Sequence, residues 1–172
     1  MLMKVFPHGT GEGDKPSRYL VRPDYPGRDT APPQVLRGDP AMTRALVDSI
    51  ERRWKFTSGV LSWHPDDKVS EEQEEEVMDA FEQVAFAGLE ADQRNILWVR
   101  HTHAGHHELH FLIPRLELSS GKDFNACPPG WQKDFDVFRD LFNWREGWAR
   151  PDDPARARDE LPKKADLFKA RM

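Results

Sequence analysis

His101, Glu108 and His110 stand at H-x6-E-x-H spacing inside WVRHTHAGHHELHFLIP. NILWVRH (residues 95–101) reads as one strand and ELHFLIPRLEL (108–118) as the next, with THAGHH and its Gly105 as the turn between them. Side chains alternate faces along a strand, so Glu108 and His110 point one way and Leu109, Phe111 and Ile113 the other, toward a core. Pairing of the two strands would bring His101 beside Glu108 and His110. Two imidazoles and a carboxylate converging on one side can hold a divalent cation with open positions for substrate. His103, His106 and His107 lie in the same stretch. They are alternative ligands, and a histidine-rich turn can also be no more than exposed and polar.

A second reactive group is a phenol. The chain has two tyrosines, Tyr19 and Tyr25. Tyr19 lies in KPSRYLVR, which reads as a short helix after a glycine-rich loop. A phenol attacks phosphorus once its proton is removed and the phosphate charge is neutralised. Arg18 and Arg22 flank Tyr19 and can supply that neutralisation. The alternative is a tyrosine half-buried on an amphipathic helix for packing alone. The loop GTGEG is not a P-loop, because no GK[ST] follows it.

These groups need a scaffold. MKVFP and PQVLRG read as short strands and KFTSGVLSW as a strand of β-branched and aromatic residues. DPAMTRALVDSIERR reads as a helix with Asp39 as N-cap and Pro40 at its first position. SEEQEEEVMDAFEQVAFAGL is the clearest helix. Ser70 and Gln73 form a capping-box pattern, and Val77, Phe81, Val84 and Ala85 form its apolar stripe. Residues 131–148 read as a further helix, with Phe135, Phe138, Leu141 and Phe142 at helical spacing. The order β-α-β-α-β-α-β-β-α predicts an α+β fold. The expected form is a two-layer sandwich, a mainly antiparallel sheet of about five strands with helices on one face. The polar face of the hairpin is then the open face of the sheet, where a strand of nucleic acid can lie. Residues 1–150 are expected to form the domain and 151–172 a charged tail.

At 172 residues the chain fits one domain with one core. It contains no run of about 18 apolar residues, so no membrane insertion is expected. The N-terminus lacks a signal-peptide pattern. The lone Cys127 excludes an internal disulfide and a thiolate metal cluster. A cytoplasmic location is the expectation. The net charge of -5 argues against a nucleic-acid partner until its distribution is considered. Residues 66–92 hold eleven acidic residues and one basic, a local net of -10, which leaves about +5 for the remainder. Such segregation allows a basic working face and an acidic back. Acidic runs are also commonly just solvated helix faces.

MKVFPHGTGEGDKPSRYLV, KFTSGVLSW and ILWVRHTHAGHHELHFLIPRLELSSGK follow one another in this order. Together they resemble the plasmid mobilization relaxases of the colicin-plasmid type, a His-Glu-Asn variant group within the HUH endonuclease superfamily. The likeness covers about residues 2–160. It implies a bacterial, metal-dependent DNA-nicking enzyme with an HUH relaxase-like fold. Such an enzyme cleaves one strand at a plasmid transfer origin during conjugative mobilization and leaves a 5'-phosphotyrosyl intermediate. Tyr19 matches the nucleophile, and His101 and Glu108 the first two metal positions. His110 stands where that group usually has Asn. Imidazole is the stronger ligand toward transition metals, which leaves the preferred ion open: Mg2+ or Mn2+ is the expected working ion, and Zn2+ or Ni2+ is possible. The implied partners are single-stranded transfer-origin DNA, relaxosome accessory proteins and a coupling protein, with the enzyme itself a monomer. Arg18, Arg22, Arg28 and Arg100 are candidates to grip phosphates, with ordinary surface charge as the alternative. Trp63 and Trp98 are candidates to stack on bases, with core packing as theirs. The competing readings are a rolling-circle replication initiator or transposase-type nuclease using the same chemistry, a DNA-binding remnant without activity, and a zinc hydrolase with Glu108 as base.

Overall fold

The computed structural model describes residues 1–150 and 152–154. The expected charged tail therefore lies almost wholly outside the described residues. Five strands form one sheet: β1 (Leu2–Val5), β2 (Gln34–Arg37), β3 (Phe56–Ser62), β4 (Leu97–His101) and β5 (Glu108–Pro114). Their order across the sheet is β1-β3-β5-β4-β2, and every neighbouring pair is antiparallel. Four helices accompany them: α1 (Asp14–Val21), α2 (Pro40–Ser49), α3 (Glu71–Ala85) and α4 (Gln132–Glu146). A 3-10 turn spans Ala91–Gln93. The fold class is the expected α+β arrangement around a five-stranded antiparallel sheet.

Local chemistry sets the helix starts. The Asp39 carboxylate accepts from the Met42 N–H at 2.7 Å, and Pro40 follows it at the first helical position. Ser70 and Gln73 complete the capping box of α3, each side chain bonded to the other's backbone N–H. Gly147, left-handed at φ 67°, ends α4.

α3 and α4 cover one face of the sheet. Val77, Met78 and Phe81 of α3 and Phe135, Phe138 and Phe142 of α4 pack on Met3, Leu61, Trp98, Leu109, Phe111 and Ile113. Leu141, expected in the α4 stripe, is 57% exposed instead. Trp63 and Trp98 are buried in this core, so neither is available to stack on a base.

The opposite face is only partly open, which departs from the expectation of helices on one face. Leu97 and Val99 of β4 and Leu112 of β5 also form a buried apolar cluster, closed by Leu20 of α1. α1 and α2 pack on one another and against β5 on this side. The reason is that the centres of β4 and β5 are apolar on both faces, so each face needs a cover. The triad lies at the margin of that cover, with His101 and His110 buried and Glu108 partly exposed, while Leu2 and Lys4 of β1 and Val35 of β2 are exposed on the same face.

Candidate active site

The β4–β5 hairpin builds the first half of the site. Its register places His101 opposite Glu108 and Val99 opposite His110. Residues opposite one another share a face, so the three polar side chains converge while Leu109 and Phe111 turn into the core. Gly105, at φ 79°, supplies the left-handed residue that the connecting turn needs. His101, Glu108 and His110 each offer a ligand atom, and these atoms lie within 4.8 Å of one another. His106, one of the alternative ligands, instead bonds the second Glu108 oxygen at 2.9 Å. His107 faces away, with its Nε2 2.5 Å from Glu74 of α3.

Ionisation in the cluster suits a cation. Burial by itself would raise the Glu108 carboxyl, but hydrogen bonds and charge from His110 and His106 outweigh it and hold the group at about 2. Burial is also the main influence on His101, which is pushed down to about 4 despite its hydrogen bond to the Leu20 carbonyl. His101 is therefore a neutral imidazole at neutral pH. Its Nε2 lies 2.7 Å from the Leu20 carbonyl and must carry the proton, which leaves Nδ1 as the lone pair; Arg28 Nη2 lies 3.4 Å from that atom, a contact that an ion bound there would displace. His110 Nε2 and Glu108 Oε2 face each other at 3.0 Å. Facing ligand atoms of this kind are what a metal ion binds in place of protons. One carboxylate and two imidazoles fit a divalent ion and leave coordination positions free.

α1 supplies the second half. The same Leu20 carbonyl that receives His101 ties this helix to the hairpin. Tyr19, the preceding residue, is 43% exposed and sets its ring edge-on to that of His101, with centroids 6.4 Å apart. Tyr25 joins them: its ring lies 5.7 Å from Tyr19 and 5.5 Å from His103. His103 is held below its ordinary value by burial first and by the Arg28 charge second.

A family model described as Relaxase: MobA/VirD2-like, nuclease domain, matches residues 40–143. The chain belongs to this relaxase family. It is 39% identical over 170 residues to the cryptic plasmid protein C of Neisseria gonorrhoeae, covering 97% of this chain and 80% of that protein. It is 34% identical over 168 residues to the DNA relaxase MbeA of Escherichia coli, covering 94% of this chain and 32% of that protein. The chain thus spans about a third of the length of the E. coli relaxase. The relaxase domain is a nuclease domain, so this chain carries an enzyme's fold with a candidate metal cluster at its hairpin.

The four arginines suggested by the sequence separate in space. Arg18 pairs with Asp14 and Arg22 with Asp24, both at the surface around α1. Arg100 lies on the α3 side of the sheet, where it binds Glu74 at 2.8 Å, so its charge is used away from the triad. Arg28 is no surface charge at all, being 1% exposed beneath Tyr19 and Tyr25. Its position follows from chain folding rather than from any spacing in the sequence. Lys4 alternates with the core residue Met3, which places it on the triad's face of the sheet. Among the described residues no helix is long and apolar enough to cross a membrane.

Proposed function

We propose that the chain nicks one strand of plasmid transfer-origin DNA, with Tyr19 as nucleophile and His101, Glu108 and His110 as the metal ligands. The observation that carries the reading is the bond from His101 to the Leu20 carbonyl, because it fastens the helix bearing the phenol to the hairpin bearing the triad. A divalent ion, Mg2+ or Mn2+, held by the three side chains would act as a Lewis acid on the oxygens of the scissile phosphate.

Single-stranded DNA enters on the uncovered part of the sheet. The Tyr19 oxygen forms a bond to phosphorus as the bond from phosphorus to the 3'-oxygen breaks. The phenol proton is lost, and the released 3'-oxygen ends as a hydroxyl. The 5'-phosphate stays on Tyr19 as a diester. One phosphodiester replaces another, so no nucleotide triphosphate is required and a 3'-hydroxyl can reverse the step. Glu108 would contribute the negative charge that holds the ion, and His101 and His110 would complete its ligand set. Accessory proteins and a coupling protein would act on the resulting complex, consistent with the relaxase name of the E. coli relative.

The test is a labelled single-stranded oligonucleotide carrying the transfer-origin nick site, incubated with the chain and Mn2+ or Mg2+. A covalent adduct resistant to denaturation is expected. Tyr19→Phe should abolish it and Tyr25→Phe should not. An adduct that survives Tyr19→Phe and disappears with Tyr25→Phe would move the nucleophile to the neighbouring phenol. Cleavage of replication-origin DNA in preference to transfer-origin DNA would favour a replication initiator instead. Water-only hydrolysis without an adduct would indicate a metal hydrolase.

A further inference from the structure

Arg28 is buried to 1% exposure, and among the described residues its guanidinium has no carboxylate partner. A buried cation needs compensation. Here it comes from five contacts in and around the proposed site, while Nε is left without a hydrogen-bond partner. Nη1 donates to the Tyr19 carbonyl at 2.6 Å and to the Arg22 carbonyl at 3.0 Å. These are C-terminal carbonyls of α1, unmatched within the helix and at the negative end of its dipole. Nη2 lies 3.4 Å from His101 Nδ1. The guanidinium carbon sits 5.0 Å from the Tyr19 ring centroid and 4.8 Å from that of Tyr25, within reach of both negative ring faces.

A turn delivers this side chain. Tyr25-Pro26-Gly27-Arg28 is closed by the Arg28 N–H donating to the Tyr25 carbonyl at 3.0 Å. Pro26 is the second residue and Gly27, at φ 84°, the third, as a type II turn requires. The planar group thus touches the nucleophile's backbone, its ring, the second phenol and the first triad ligand at once.

We propose that Arg28 is the positioning residue that holds the Tyr19 phenol in register with the His101-Glu108-His110 triad. The inference rests on the reading of Tyr19 as nucleophile. It replaces a phosphate-gripping role, because a guanidinium beneath two tyrosines and a helix end is not presented to DNA. Lysine cannot substitute: one ammonium cannot bridge two carbonyls while a delocalised charge also lies within reach of two rings set at 85° to each other.

The test compares the wild-type chain with Arg28→Lys, each labelled with 3-fluorotyrosine. Two fluorine signals are expected, and Tyr19→Phe assigns them. Arg28→Lys should keep a cooperative thermal transition and bind the oligonucleotide within about twofold. Its rate of adduct formation at saturating DNA should fall about 100-fold, the scale of a 1 Å misplacement. The Tyr19 fluorine signal should shift or broaden. An adduct rate equal to wild type overturns the proposal. If that unchanged saturating rate came with a loss of DNA affinity, Arg28 would return to phosphate binding. An Arg28→Lys chain that does not fold overturns it as well, since the residue would then be a structural support. A wild-type chain that forms no Tyr19 adduct, while its Tyr19 signal still moves in Arg28→Lys, supports the clamp and removes the nucleophile reading.

Discussion

Glu108 has both of its oxygens occupied by histidines, His106 on one and His110 on the other. The two histidines differ in consequence. His110 faces the shared ligand position, whereas His106 only orients the carboxylate from outside. Loss of such an outer partner lowers metal affinity by about 10- to 100-fold, and loss of a ligand should cost more. Titration with Mn2+ is therefore expected to show His106→Ala weakened by about tenfold and Glu108→Gln by more than about 100-fold. Equal effects would make His106 a ligand too. The protonation states also predict how stability follows pH. His101 sits at about 4 when folded, below the ordinary histidine value of 6.5. Between these values the unfolded chain binds the proton that the folded chain refuses, so stability rises with pH, by at most about 1.4 kcal/mol per pH unit for one group. Glu108, depressed from 4.5 to about 2, acts in the same direction at lower pH: its contribution is present above the unfolded value and disappears as pH falls toward 2. Thermal melts of the metal-free chain should climb from pH 4 to 6.5, and His101→Gln should flatten that climb. A profile unaffected by this substitution would mean that His101 is charged in the folded chain.

Why the site was readable in part follows from the elements that carry it. The hairpin was legible because strand alternation is local: Glu108 and His110 against Leu109 and Phe111 is a pattern within four residues, and His101 follows from simple pairing. The caps at Asp39 and Ser70 were legible for the same reason. The side of the sheet on which α1 and α2 lie was not. That depends on Leu20 meeting Leu97, Val99 and Leu112, residues distant in sequence. A signal did exist, since Leu97-Trp98-Val99 is an unbroken apolar run and such a strand is covered on both faces. The consequence is functional, because the helix on the second face is the one that brings Tyr19 to His101. Arg28, in a proline- and glycine-rich loop, had no pattern to betray it. β3 is held close to both neighbours by a missing side chain. A Cβ on Gly59 would lie 2.4 Å from the Lys4 carbonyl and 2.4 Å from the Phe111 ring. Gly59→Ala should therefore destabilise by about 1–3 kcal/mol, seen as a lower melting temperature. An unchanged melt would show that β1 can move away from β3 at no cost.

At the scale of the whole molecule the question is how a chain of net charge -5 holds DNA. The acidic α3 lies behind the sheet, and much of its charge is consumed there. Arg37 pairs with Glu75, Asp79 and Glu82, Arg100 with Glu71 and Glu74, and Arg145 with Glu76. The triad's face looks the other way. On it Lys4 of β1 is exposed and lies opposite Val60, which in turn lies opposite His110. Two strand spacings, about 9.6 Å, therefore separate the Lys4 backbone from that of His110. This is little more than one extended nucleotide step along a single strand. Lys4 lies on this face, and Arg18 and Arg22 at the surface around α1 would exchange Asp14 and Asp24 for DNA, so that roughly three phosphates would be neutralised. The log of the binding constant for a single-stranded oligonucleotide should then fall against log salt with a slope of about -2. Lys4→Gln should reduce the steepness by about 0.7, the share of one phosphate on single-stranded nucleic acid. Fluorescence anisotropy across a salt series measures both, and Arg100→Gln provides the contrast, because its charge is already spent on Glu74 behind the sheet. If Arg100→Gln flattened the slope while Lys4→Gln left it unchanged, the DNA would have to cross the α3 side, and the polar end of the hairpin would no longer be its path.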